Sequence, residues 1–142
     1  MIEVRTGDAP EVETVLAKRI YEYNAAATGY YDGESFTAVH RSDSGELEAG
    51  ISGYTWGGCC YVAYLWVADE LRGKGIGSGL LDAVERHAQQ KGCLVAFVST
   101  HSFQAPAFYA RRGYEEVARV NDHPVGHASL FYAKRLTKQR PA

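Results

Sequence analysis

Leu71-Arg72-Gly73-Lys74-Gly75-Ile76-Gly77-Ser78-Gly79 joins an apolar, strand-like run (Tyr61 to Val67) to a helix-patterned one (Ile76 to Lys91). A strand that turns through glycines into a helix is suited to holding phosphate. The first amides of a helix have no internal acceptors and point outward, and the macrodipole adds partial positive charge there. Glycine lets the backbone approach an anion without a Cβ in the way. Arg72 and Lys74 add full charges, so a pyrophosphate is the natural guest.

The glycine spacing narrows the choice of pyrophosphate. A Rossmann site requires G-x-G-x-x-G with an acidic residue about 20 positions on. Counting from Gly73, the last glycine position falls on Ser78; counting from Gly75, it falls on Leu80. A Walker A loop requires Gly-Lys followed by Ser or Thr, and Lys74 is followed by Gly75. Neither pattern fits. A plain surface turn would account for one or two glycines, not for four with two cations at the mouth of a helix.

Composition sets the outer bounds. A chain of 142 residues fits one domain with a real core, here residues 1–137. A hydrophobic share of 46% with 23% charged residues is that of a soluble globular protein. The formal net charge of -2 argues against nucleic acid as partner. No apolar stretch approaches the ~20 residues of a membrane span, and the N-terminus lacks the basic start and apolar core of a signal peptide. Three cysteines, Cys59, Cys60 and Cys93, give neither a disulfide framework nor a zinc spacing. No metal is expected, and the reduced cytoplasm is the simplest compartment.

Along the chain, Ile2 to Arg5 alternates apolar and charged residues and reads as a strand. Asp8 is placed to cap a helix, with Glu11 completing a capping box and Pro10 in the first turn. Val12, Val15, Leu16, Ile20 and Tyr23 make the stripe of that helix, and Gly29 with Asp32-Gly33 ends it. Strands follow at Phe36 to His40, Leu47 to Trp56 and Cys59 to Val67, turned by Asp43-Ser44-Gly45 and Gly57-Gly58. Gly50 and Gly53 read as weak points in the second of these. After the helix to Lys91, the pattern predicts a strand at Leu94 to Ser99, a short helix at Gln104 to Arg112, and strands at Tyr114 to Val120 and Ala128 to Leu136. A polar loop, Asn121 to His127, separates the last two strands, and residues 138–142 read as a disordered tail. The order is β-α-β-β-β-α-β-α-β-β, a mixed α/β sheet of about seven strands.

Arg72-x-x-Gly75-x-Gly77 directly after a strand resembles the acetyl-CoA signature of the GNAT-superfamily N-acetyltransferases. A second resemblance covers Ser102 to Tyr114, where Phe108-Tyr109 stands a few residues before Gly113-Tyr114. With Thr100, Phe103-Gln104-Ala105 and Pro124-x-Gly126-His127, it is similar to a bacterial GNAT subgroup. The resemblance implies a mostly antiparallel, twisted GNAT sheet that splays between its fourth and fifth strands to admit the cofactor. It also implies transfer of acetyl from acetyl-CoA to a primary amine by direct attack in a ternary complex. Leu65, Trp66 and Val67 would lie along the pantetheine arm, one amide polarising the thioester carbonyl. Gly73, Lys74, Gly75, Ile76, Gly77 and Ser78, with Arg72, would hold the diphosphate. Tyr109 would protonate the leaving thiolate, since a tyrosine of ordinary pKa ~10 is protonated at neutral pH. Pairing through terminal strands into a homodimer is a further implication.

The general base is less defined. Relatives place a Glu or Asp on the fourth strand, and Tyr61 to Val67 carries no carboxylate. His101, just past the fifth strand, is the candidate, because imidazole titrates near working pH; a water chain to Asp69, Glu70 or loop hydroxyls is the alternative. Tyr23, Asn24, Tyr30, Tyr31, Trp56 and Tyr64 are candidate walls for the acceptor; mostly aromatic, they suit an apolar or a cationic guest. Glu115-Glu116, Arg111-Arg112 and Lys134-Arg135 read as solvated surface. The missing carboxylate leaves open a second class of function, a non-catalytic acyl-CoA sensor or partner-binding module on the same fold.

Overall fold

The computed structural model describes residues 1–136; the expected disordered tail, residues 138–142, lies outside them. The chain forms two compact units, Met1–Tyr31 and a larger one from Asp32 onward.

The first unit is one helix, α1 (Pro10–Thr28), with short flanks. Pro10 occupies the first helical position, where its fixed φ is already helical and its missing N–H costs nothing. That choice puts Ala9, not Asp8, at the N-cap, and no side chain caps the end. Glu11 therefore falls one position short of its place in a capping box. Glu11 and Glu13 still lie in the first turn, where the dipole favours carboxylates. Gly29 closes the helix at φ 80°, its amide donating to the Ala25 carbonyl. The strand expected at Ile2–Arg5 does not form. Alternation only makes a segment competent for a ladder, and among the described residues none pairs with it. An Arg5–Glu3 ion pair at 3.2 Å is its local contact.

The second unit is a six-stranded sheet in the order β1-β2-β3-β4-β6-β5. Its strands are β1 (Glu34–Arg41), β2 (Leu47–Trp56), β3 (Cys59–Val67), β4 (Val95–His101), β5 (Glu115–Asn121) and β6 (Ala128–Arg135). All neighbours are antiparallel except β3 and β4. That parallel pair needs a crossover, supplied by a 3₁₀ turn at Asp69–Leu71 and the helix α2 (Ile76–Gln90). A second short helix, α3 (Pro106–Arg111), links β4 to β5.

Leu80, Leu81, Val84 and Ala88 of α2 pack in one buried cluster with Ala49, Ile51, Cys60, Val62, Ala96 and Val98 of the sheet. These positions alternate along each strand, so one sheet face is sealed by α2 and the other faces away from it.

Several boundaries differ from the sequence expectation by one or two residues, β1 at Glu34–Arg41 among them, and three of the shifts have a visible setting. β4 runs on to His101, because its far edge keeps pairing with β6 through His101 and Ser129. α3 starts at Pro106 rather than Gln104, since the Gln104 side chain accepts a hydrogen bond from the His101 amide at 2.7 Å. β5 starts at Glu115, with Tyr114 buried just ahead of it. Arg112 and Lys134 are not simply solvated. Arg112 pairs with Asp82 of α2, and Lys134 with Glu85 at 2.8 Å.

Candidate active site

β3 and β4 pair at Cys59↔Val95, Cys60↔Ala96, Tyr61↔Phe97 and Val62↔Val98, and there their ladder ends. Both strands continue: β3 to Val67 on β2, and β4 to His101 on β6. The sheet is thus split between its two parallel strands, at their C-terminal ends. At ~3.3 Å per residue, Ala63 to Val67 leaves roughly 15 Å of strand edge without a strand partner among the described residues. Unpaired edge amides and carbonyls are what an extended, amide-bearing ligand can bind.

The split begins at a bulge. Ser52 pairs with Tyr64 and Gly53 with Val62, leaving Ala63 as the extra residue of β3. The bulge resets the alternation. Cys60 and Val62 before it, and Leu65 and Val67 after it, all pack toward α2. Tyr64 and Trp66 therefore turn to the opposite face, where the Tyr54, Tyr61 and Phe97 rings meet at a tilt with centroids 5.4 and 4.6 Å apart. Strand alternation sends Trp56, Ser99 and His101 to that face too. Gly53, which the sequence suggested was a weak point, is required here. A Cβ on it would collide with the Tyr61 carbonyl.

Beyond Val67 the chain makes its 3₁₀ turn and reaches the glycines. Gly75 is the N-cap of α2 at φ 85°, in the left-handed region that favours glycine. Its carbonyl accepts the first helical bond, from Gly79 at 3.0 Å. The helix mouth has neither a side-chain cap nor an acidic residue in its first turn. The amides of Ile76, Gly77 and Ser78 so face outward, at the positive end of the dipole. Lys74 stands beside them, exposed. The Arg72 guanidinium folds back on the turn, donating to the Val67 carbonyl at 3.0 Å and pairing with Asp69 at 3.0 Å.

α3 closes on this mouth. The Cβ direction of Gly77 meets the Val67 side chain at 3.6 Å and the Phe108 ring at 3.8 Å. The glycine turn, the end of β3 and the Phe108-Tyr109 motif so converge. Tyr109 is buried, its ring edge-on to Phe108 and Tyr114. Burial pushes its phenol up to about 12, so it stays a proton donor at neutral pH. Tyr114 is anchored below it, donating to Glu85 at 3.0 Å; Glu85 also takes the Lys134 ammonium.

His101 ends β4 on the open side of the split. Its Nδ1 lies 3.0 Å from the His123 carbonyl, and its ring stacks on Phe103 at 5.2 Å. Of the other expected site residues, Tyr23 and Asn24 lie in the last turns of α1, and Tyr30 and Tyr31 in the segment after it. Burial pushes the Cys60 thiol up to about 12 and raises those of Cys59 and Cys93. A thiol so disfavoured as thiolate is a poor nucleophile. No cluster of three or more His, Cys, Asp or Glu side chains suited to a metal occurs among the described residues. The bulge and the His101–His123 contact escaped the sequence reading. A glycine inside a strand pattern and a polar loop holding Pro124 and Gly126 were the available signals.

Comparison with known proteins agrees with this geometry. Residues 4–114 match the acetyltransferase (GNAT) family. Over 104 residues the chain is 39% identical to blasticidin-S acetyltransferase of Streptomyces morookaense, covering 72% of this chain and 76% of that protein. The crystal structure of an acetyltransferase from Bacillus cereus superposes with a TM-score of 0.77 at 33% identity, over 94% of this chain and 97% of that one. One from Agrobacterium tumefaciens, described as a candidate acetyltransferase, gives 0.86 at 28% identity, over 95% and 98%. With its split parallel pair, glycine-turned helix mouth and matched sequence, the chain belongs to the GNAT family and is an acetyltransferase.

Proposed function

We propose that this acetyltransferase uses acetyl-CoA as donor and a primary amine on a small molecule as acceptor, by direct attack in a ternary complex. The observation that carries the reading is the ladder of β3 and β4 ending at Val62 and Val98 while both strands run on. Pantetheine is an extended chain with two amides, and it pairs with the free edge at Leu65, Trp66 and Val67. The diphosphate lies on the amides of Gly73 to Ser78, with Lys74 as counter-charge. Arg72 serves mainly to brace the turn in the free protein and swings to the phosphates on binding.

The thioester then stands in the split, with Tyr109 on one side and His101 on the other. The amine nitrogen attacks the thioester carbon, the C–S bond breaks, and Tyr109 protonates the departing sulfur. His101 takes the proton that the ammonium must lose before attack. Trp56 and Tyr64, on the face away from α2, support an aromatic acceptor wall. A basic small molecule suits such a wall, and the relative named for blasticidin S makes antibiotic-like amines the first to test. The protein acts as a cytoplasmic enzyme that pairs as a homodimer. No helix of the described residues is long and apolar enough to cross a membrane.

Titration calorimetry with acetyl-CoA, followed by thiol release across a panel of amines, tests the proposal. We expect micromolar to submillimolar binding and turnover with at least one basic small molecule. No heat at millimolar acetyl-CoA would overturn it.

A further inference from the structure

His101 is pinned more firmly than a surface histidine requires. Its amide donates to Gln104 Oε1 at 2.7 Å. The next residue, Ser102, donates its amide to the Ala128 carbonyl at 2.8 Å, and its hydroxyl accepts from the Ala128 amide at 3.0 Å. The ring is flanked by Phe103, stacked within 5°, and by His123, edge-on at 5.0 Å. His127 stands edge-on to Phe103 at 5.0 Å. The His123 carbonyl faces His101 Nδ1 from a hairpin closed on itself: Asp122 donates to the His127 carbonyl, and His127 to the Pro124 carbonyl, each at 2.9 Å.

A carbonyl oxygen only accepts, so this contact requires the hydrogen on Nδ1 and leaves the lone pair of neutral imidazole on Nε2. We infer that the hairpin of residues 122–127, through the His123 carbonyl, fixes His101 in the Nδ1–H tautomer, so that Nε2 is the base that deprotonates the acceptor amine. The inference rests on the acetyl-transfer reading of this site and adds to it the reactive atom and the group that sets it. The dyad of backbone carbonyl and imidazole takes the place of the carboxylate that β3 lacks. The step balances. Nε2 takes one proton from the ammonium, and the other N–H proton lost on amide formation makes good the one Tyr109 gives to sulfur. Products are the acetylated amine, free CoA thiol and one proton released from His101. Of the titratable side chains here, His123 faces the ring edge-on, His127 lies behind Phe103, and Asp122 is tied within the hairpin.

Two measurements test this. In the unliganded protein, with ¹⁵N-labelled histidine, two-bond ¹H–¹⁵N correlation reads the tautomer above the titration range. The expected result is His101 as Nδ1–H; finding Nε2–H overturns the inference whatever the activity. In kinetics, His101→Asn keeps a side-chain N–H for the His123 carbonyl but has no base. It is expected to bind acetyl-CoA as the parent does, lose kcat by ~100- to 1000-fold, and lose the acid limb of the rate profile. His101→Ala should regain part of its rate with added imidazole. Full turnover by His101→Asn, with its pH limb intact, refutes the role of Nε2. A parent protein that binds no acetyl-CoA overturns the transfer reading and the base role with it, while the tautomer result still decides the clamp.

Discussion

Gly53 of β2 lies against the Tyr61 carbonyl of β3 so closely that no side chain fits between them. This contact sits beside the bulged Ala63, so the tight approach and the opening of the sheet belong to one feature. Gly53→Ala is expected to cost about 1–3 kcal/mol, the range for forced overpacking. The ladder must also shift, so acetyl-CoA affinity should fall with it. Urea unfolding and calorimetry on the same sample check both.

Gly75 and Gly77 should separate by cause. Gly75 needs its left-handed φ of 85° and has open space around it, whereas the Cβ of an alanine at 77 would make ordinary contacts at 3.6–3.8 Å. Gly75→Ala should cost about 1–2 kcal/mol in backbone strain and weaken acetyl-CoA about tenfold as the helix mouth moves. Gly77→Ala should stay within ~0.5 kcal/mol of the parent, as unstrained substitutions do. Equal effects at both positions would mean that conformation is not what the turn requires.

Tyr109→Phe should lower kcat by ~10- to 100-fold with KM for acetyl-CoA little changed, the size expected for loss of a general acid. The parent should keep its activity on the alkaline side well past pH 10, because burial holds this phenol up to about 12. Thiol release with a chemically rate-limiting acceptor measures it.

Glu85 holds Tyr114 and Lys134 together under α3, at 3.0 and 2.8 Å. Glu85→Ala leaves a half-buried ammonium and a buried hydroxyl unpaired. The cost should be about 2–3 kcal/mol, below the 3–5 of a fully buried pair because Lys134 keeps some water. Thermal unfolding compared with Glu85→Gln, which keeps an acceptor, isolates the charge.

Alkaline pH should destabilise the fold. Burial raises the native pKa of Cys60 from 9.0 and that of Tyr109 from 10.0, each to about 12. The unfolded chain gives up these protons first, so deprotonation draws the equilibrium toward it. The stabilisation is complete below about pH 9 and is lost as pH climbs toward 12. Tm measured from pH 8 to 11 should hold to about pH 9 and then fall; a flat profile would mean these groups are not buried in solution.

The sequence by itself determined the glycine-turned helix mouth, because positive φ and bare amides are local needs that local residue types reveal. It also determined β2 and β3 to the residue, where Gly45 and Gly57-Gly58 supply the turns, and the Phe108-Tyr109 motif. Tertiary structure alone decided what happens where strands meet. Ile2–Arg5 alternates like a strand and forms none, since a ladder depends on a partner edge as well as on pattern. Asp8 lost the cap to Ala9 through the rigid ring of Pro10. The bulge at Ala63, which turns Tyr64 and Trp66 out and begins the split, comes from a backbone approach between Gly53 and Tyr61, and no periodicity encodes it. The His123 carbonyl reaches His101 only because β6 lies between β4 and β5 and brings the two strand ends together. Contacts between residues far apart in sequence are set by packing, and packing is where the reactive geometry of this acetyltransferase is made.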